Sequence, residues 1–253
     1  MPIFATKDNL PSQLIDQLRT ARQVVVLTGA GMSAESGVPT FRDAQTGLWA
    51  QYEPEELATP EAFRRNPRLV WEWYAWRKQL VNQAQPNPGH YALLAFEQHL
   101  PKFTLITQNV DGMHQRVGNT NVIELHGNIN RFKRLNDNVI VESWADNGEV
   151  PPRCPQTGQL LRPDVVWFGE ALPSKALSYA FEQAAACDLL FSIGTSGMVH
   201  PAADLPAVAK TTIEINPDKT MLTNSMTYVL QGASGEILPA LVKATWPRTG
   251  LPE

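Results

Sequence analysis

The chain has 253 residues, 43% hydrophobic and 18% charged, enough apolar material for one large core or one core with a small satellite, which excludes a disordered protein. A formal net charge of −4 gives no general attraction to nucleic acid or an anionic membrane, and no window approaches the roughly 18 unbroken apolar residues of a membrane span. The first 23 residues lack the apolar core of a signal peptide, and Cys154 and Cys187 are too few for a disulfide framework. The expectation is a soluble cytoplasmic protein without nucleic-acid or membrane partners, monomeric by default.

In chain order, SQLIDQLRTA (12–21) predicts a helix, QVVVLTG (23–29) a strand, and PRLVWEWYAWRKQLVNQ (67–83) and HYALLAFEQHL (90–100) two further helices. Strand patterns KFTLITQN (102–109) and NVIELHG (121–127) precede a helix over SKALSYAFEQAAA (174–186). The runs DLLFSIGTS (188–196), TTIEIN (211–216) and TYVLQG (227–232) and a last helix, GEILPALVKA (235–244), complete the series. Apolar β-branched runs alternating with helices predict an α/β fold, a doubly wound parallel sheet with helices on both faces. The strand runs stop at Thr28-Gly29, Gln108-Asn109, His126-Gly127, Gly194-Thr195-Ser196, Asn216 and Gly232. In a parallel sheet these small and polar ends converge on one edge, where ligands bind.

GAGMSA, Gly29 to Ala34, has the G-x-G-x-x-G/A form that follows a strand and opens a helix in dinucleotide sites, with backbone N–H groups expected to face the phosphates. An ordinary dehydrogenase also places an acidic residue at the end of a second strand about 20 positions on. Here Glu53, Glu55 and Glu56 fall in a proline-punctuated, non-strand stretch. Asn216, ending TTIEIN, is the better candidate for a ribose hydroxyl.

Through GAGMSAESGVPTFRD, TQNVDGMH, ELHGN, RPDVVWFGE, GTSGMVHPAA and EINP, in order from about residue 20 to about 240, the chain resembles the sirtuins, NAD-dependent protein lysine deacylases. The resemblance implies a single catalytic unit: a Rossmann-like large domain (about 20–50, 86–127 and 165–245) and a small inserted part (about 51–85 and 128–164). It implies that Gly29, Ala30, Gly31 and Ser33 face NAD, with Phe41 and Arg42 on a loop that covers it. Gln108, Asn109 and Asp111 would surround the nicotinamide ribose, while Gly194, Thr195, Ser196, Asn216, Gly232, Ala233 and Ser234 would line the adenosine half. His126 would be the general base, a task suited to neutral imidazole. By the same resemblance, the acyl oxygen displaces nicotinamide, and free lysine and O-acyl-ADP-ribose result. Val166, Trp167, Phe168 and Gly169 in VVWFGE, an expected extended edge, and Gly197, Met198 and Val199 would hold the acyl-lysine peptide between them by backbone hydrogen bonds. His90 and His99 are expected as scaffold, His200 as scaffold near the cleft, and His114 is left open.

Tyr74 and Arg77 stand three apart on one helical face. The resemblance implies an acyl pocket that accepts succinyl, malonyl or glutaryl as well as acetyl groups, with Ala44 leaving room. A carboxylate entering an apolar pocket needs a fixed charge and a hydrogen-bond donor. Most sirtuins hold a zinc ion on two Cys-x-x-Cys pairs, and this chain departs from that pattern. Arg134, Asp137 and Thr157 stand roughly where cysteines would be, leaving Cys154. One thiolate cannot make a tetrahedral site, so no bound zinc is expected. The small part would then rely on Phe132, Val139, Ile140, Val141 and Trp144, with a hairpin turning at Asp146 to Glu149; Cys187 is expected in the core. Mono-ADP-ribosyl transfer or NAD hydrolysis, and an NAD-sensing module without turnover, are the alternatives.

Overall fold

A computed structural model describes residues 1–38, 51–144 and 148–251. Phe41, Arg42, Ala44 and half of the turn expected at Asp146 to Glu149 lie outside the described residues. Numbered in chain order, seven parallel strands lie side by side as β1 (Ile3–Ala5), β10 (Tyr228–Gln231), β9 (Thr212–Asn216), β8 (Leu189–Ile193), β2 (Gln23–Thr28), β3 (Lys102–Thr107) and β4 (Val122–Glu124). From β2 the chain winds outward to β3 and β4, then crosses back to β8 and runs through β9 and β10 to the other side. The order reverses between β2 and β8, the topological switch point at which such sheets bind ligands.

Alternation along β2 shows why both faces are covered. Val24 and Val26 face the helices α1 (Ser12–Thr20), α6 (Pro88–His99) and α9 (Ser234–Thr245), packing with Leu14, Phe96 and Leu241. Val25 and Leu27 face α8 (Ser174–Ala186) and a 3-10 turn at Ala202–Val208, packing with Ala180 and Leu205. The strand is apolar at every central position because it is buried on both sides.

The second sheet is antiparallel and small, in the order β6 (Ile140–Val141), β5 (Gly127–Arg134) and β7 (Leu161–Val165). Against it pack α3 (Pro54–Leu57), α4 (Pro60–Arg65) and α5 (Pro67–Gln83), with Phe63, Val70, Trp73 and Tyr74 joining Ile129, Val165 and Trp167 in a third core. Full burial of each large side chain there contributes roughly 1.5–3 kcal/mol. Asn66 caps α5 by accepting from Leu69 N at 3.2 Å, with Pro67 at the first helical position. Asn87 and Pro88 start α6 in the same way.

Two sequence expectations are corrected. VVWFGE is not an extended edge: β7 ends at Val165 and the chain turns, with Glu170 N donating to Trp167 O at 3.0 Å. Strands β5 and β6 form a hairpin that turns at residues 135–139, where Asn138 takes a left-handed φ of 57°; the turn expected at Asp146 to Glu149 is a separate one that lies partly outside the described residues. Val139 and Ile140 are exposed, at 47% and 44%, and add nothing to a core. The small sheet leans instead on α5, where Trp71, Phe132 and Trp144 form a trio with ring centroids 4.8–6.3 Å apart. Lys78 Nζ lies 4.6 Å from the centre of the Phe132 ring. Strand β1, three residues long, gave no periodic signal and was missed.

Candidate functional site

The strand tips at the switch point are stitched backbone to backbone. Gly29 N donates to Ile193 O at 2.9 Å and Gly31 N to Gly194 O at 2.8 Å. A Cβ on Gly194, whose φ is +59°, would overlap Met32 N, and one on Gly31 would meet the Gly194 Cα at 2.7 Å. The glycines of the GAG turn therefore permit close strand-end packing. The amides of Gly29, Gly31, Met32 and Ser33 are all engaged within these tips, so the expected row of free amides facing phosphate is not formed there. Only the single-turn α2 (Gly31–Ala34) follows, and Ala30 is exposed at its start.

Ser33, expected to face a dinucleotide, is buried and donates its hydroxyl to Asp111 Oδ2 at 2.8 Å. Asn109 Nδ2 donates to Gly29 O at 3.0 Å and to Ser33 Oγ at 3.2 Å. Asp111 also accepts from Met113 N, at the start of α7 (Met113–Val117). Burial raises the Asp111 pKa, against the pull of these hydrogen bonds. Gln108, Thr195 and Asn216 are joined too: Gln108 Nε2 approaches Thr195 Oγ1 at 3.4 Å, and Asn216 Nδ2 donates to Thr195 O at 3.0 Å. Gly232 N donates to Asn216 O. Ser234 and Gly235 contact the Glu35 carboxylate, at 3.3 and 2.7 Å, which brings Ala233 and Ser234 to the same edge. Glu35 caps α9 across 200 residues of sequence, and no local signal announced it.

His126 follows β4 and immediately precedes β5. Its Nδ1 lies 2.8 Å from the carbonyl oxygen of Gln108. A carbonyl only accepts, so Nδ1 carries the proton and Nε2 keeps its lone pair. Burial lowers the His126 pKa, opposed by that same bond. Gly127 is required next to it, because a Cβ there would overlap the Asp164 carbonyl. Val166 N donates to His126 O at 2.9 Å, so β7 delivers Val166 beside the imidazole. Of the other expected peptide-holding residues, Phe168, Met198 and Val199 are exposed, Gly169 turns with φ +83°, and Gly197 is packed on Leu222.

Tyr74 and Arg77 are both buried, contrary to a surface helix face, and Arg77 Cζ lies 5.0 Å from the centre of the Trp73 ring. Burial raises the Tyr74 pKa to about 12, with Arg77 pulling the other way, and lowers that of Arg77. The phenol stays protonated and the guanidinium charged at any working pH. His114, left open by sequence, is buried, with Nε2 3.1 Å from Thr28 Oγ1 and its ring centroid 5.0 Å from that of His90. Both histidines are internal, as is Cys187. The metal-like positions lie in adjoining turns: Arg134 Nε donates to Asp137 Oδ1 at 2.8 Å, Gln159 Nε2 to Asp137 Oδ2 at 3.3 Å, and Cys154 N to Gln159 O at 2.8 Å. Among the described residues no group of three or more His, Cys, Asp and Glu could hold a metal ion. None of the helices among them is long and apolar enough to cross a membrane.

Residues 29–201 match the family described as the Sir2 family. An NAD-dependent protein deacylase of Aquifex aeolicus is 55% identical over 205 residues, 79% of this chain and 85% of that protein. NAD-dependent protein deacylase 2 of Pyrobaculum aerophilum is 50% identical over 232 residues, 90% and 93% of the two chains. The crystal structure of a Sir2 homologue–NAD complex superposes with a TM-score of 0.87 at 43% identity, over 96% of this chain and 95% of that one.

Proposed function

We propose, from the premise that this chain belongs to the Sir2 family, that it is an NAD-dependent protein deacylase in which His126 is the general base and Tyr74 with Arg77 admits acidic acyl groups. The observation that carries the reading is the fixed tautomer of His126 at the strand tips, whose Nε2 accepts no hydrogen bond among the described residues. NAD, the cosubstrate, supplies a ribose carbon from which nicotinamide can leave. The residues present fit it: the polar groups of Gln108, Asn109, Thr195 and Asn216 gather on one edge, and glycine–glycine packing at the switch point draws the strand tips together there. Asn109 is held by Gly29 and Ser33, and Asp111 by Ser33 and Met113, so both are oriented before ligand arrives.

His126 takes a hydroxyl proton on Nε2 while Nδ1–H stays bonded to Gln108 O, which disperses the charge the ring acquires. Phe168 and Val199, on either side, would hold the acyl-lysine segment, which is read chiefly through its backbone. Deeper in, burial of the Tyr74 hydroxyl and the Arg77 guanidinium favours an acyl carboxylate that both can contact. With one water consumed, the acyl group would pass from lysine to a ribose hydroxyl of ADP-ribose, leaving free lysine and nicotinamide. On this reading the domain boundaries run as the resemblance implies, with the small sheet and α3–α5 forming the inserted part.

The test incubates succinyl-, malonyl- and acetyl-lysine peptides with and without NAD and follows peptide mass and nicotinamide. The native chain is expected to remove acyl groups only with NAD, and His126→Ala to lose all three activities. Arg77→Met is expected to lower the succinyl-to-acetyl ratio of kcat/KM by tenfold or so, the worth of a lost charge-assisted hydrogen bond. Nicotinamide release without loss of acyl groups would point to ADP-ribosyl transfer or NAD hydrolysis. A parallel loss of all acyl activities in Arg77→Met would reject the acidic pocket.

A further inference from the structure

The third core contains a buried donor that is only weakly matched, by the Tyr74 phenol. Trp167 is 2% exposed, and its indole Nε1–H makes no hydrogen bond of normal geometry among the described residues. Leaving such a donor buried and unmatched costs roughly 1–3 kcal/mol, so the position of the ring needs a reason. The ring is also held in place with unusual firmness. The Arg162 guanidinium lies over its face, Cζ 3.3 Å from the ring centre. Arg162 is in turn clamped by Glu170 through Nη1–Oε1 at 2.5 Å and Nη2–Oε2 at 2.9 Å, and by Val165 O at 2.7 Å. Glu170 Oε2 accepts from Trp167 N at 2.8 Å, so backbone and indole are locked by one carboxylate. The opposite flank meets Phe63, with centroids 5.2 Å apart, and Tyr74, at 6.4 Å. The indole N–H bears on the Tyr74 phenol as a hydrogen-bond donor that falls short of ordinary geometry, and it pulls the phenol's pKa down against burial.

We propose that Trp167 is a specificity-determining residue whose indole N–H, held by the Arg162–Glu170 clamp, is a third hydrogen-bond donor to the carboxylate of an acidic acyl group. This rests on the acyl-pocket reading of Tyr74 and Arg77. A carboxylate presents about four lone-pair positions. The Arg77 fork can fill two and the Tyr74 hydroxyl one, and the weakly engaged indole N–H beside the Tyr74 phenol matches the fourth. An acetyl or other uncharged acyl group has nothing to accept that proton, so the weakly matched donor counts against it. The clamp supplies preorganisation: ring orientation is settled by Arg162 and Glu170 before substrate enters, so little rotamer freedom is lost on binding.

The test compares Trp167→Phe with the native enzyme on succinyl- and butyryl-lysine peptides, which share a four-carbon acyl chain and differ in the terminal carboxylate. Phenylalanine keeps a ring beneath Arg162 and removes only the N–H. The succinyl-to-butyryl ratio of kcat/KM is expected to fall about tenfold, by an increase in the KM for the succinyl peptide. Because the ratio is taken within one preparation, partial unfolding cancels. A ratio within twofold of native overturns the proposal. A second measurement needs no variant: among the seven indole N–H signals of the native protein, one should move downfield with succinyl peptide and not with butyryl peptide, and the absence of such a signal counts equally against it. Failure of the underlying pocket reading looks different, since the native enzyme would then show no preference between the two peptides and Arg77→Met would leave the ratio unaltered.

Discussion

At the scale of single residues, the proposed role of His126 as general base turns on which of its nitrogens holds the proton. Gln108 O settles it, and burial lowers the ring's pKa below its ordinary 6.5. A lowered pKa keeps the base form present to more acidic pH than an exposed imidazole would. The acid limb of kcat/KM is therefore expected below pH 6.5, and His126→Ala should cost on the order of 10²–10⁴ in kcat. Steady-state rates from pH 5 to 9 check this; an acid limb centred above pH 7 would show that another group is titrating. Ser33 illustrates the limits of reading a motif residue by residue. Its place in GAGMSA suggested contact with NAD; in the fold its hydroxyl is also bonded to Asp111, a partner that the motif alone does not reveal.

Among the elements, long helices were legible because their starts carry local chemistry: Asn66-Pro67 and Asn87-Pro88 each combine a side-chain cap with a proline. The central strands were legible because burial on both faces makes them continuously apolar. Where an element depends on distant partners, the signal failed. β1 exists because β10 offers it an edge, and the aromatic 166–170 stretch turns because Glu170 reaches back to Trp167 and Arg162. The packing of α6 and α7 has its own pH signature. His90 is buried, its pKa lowered to about 4 by burial first and by Arg116 second, and His114 is shifted the same way. Both are depressed in the folded state, so between about pH 4 and 6.5 the unfolded chain binds more protons and stability falls as the pH is lowered. From pH 7.5 to 5 His90 alone should cost about 2 kcal/mol. Urea midpoints should drop accordingly and drop less in His90→Gln; equal slopes for both proteins would remove His90 from the account.

For the whole molecule, the winding of the sheet reverses between β2 and β8, and the residues that the sequence singled out converge there from six strand ends. That convergence was legible because parallel winding itself brings the carboxyl ends together, whatever the details of each turn. The small sheet was less so, since its stability comes from α5 and not from the exposed Val139 and Ile140 expected to support it. Its two turns are tied by Arg134, Asp137 and Gln159, and its outer face by Trp71, Phe132 and Trp144 with Lys78. If these contacts are sufficient, chelation will have no effect. Prolonged dialysis against EDTA and 1,10-phenanthroline is expected to leave Tm within about a degree and activity unchanged, whereas Trp71→Ala should lower Tm by several degrees, the roughly 1–3 kcal/mol expected of a half-buried aromatic in a domain of this size. One equivalent of zinc by mass spectrometry, or a fall in Tm on chelation, would mean that a metal helps to hold the small sheet.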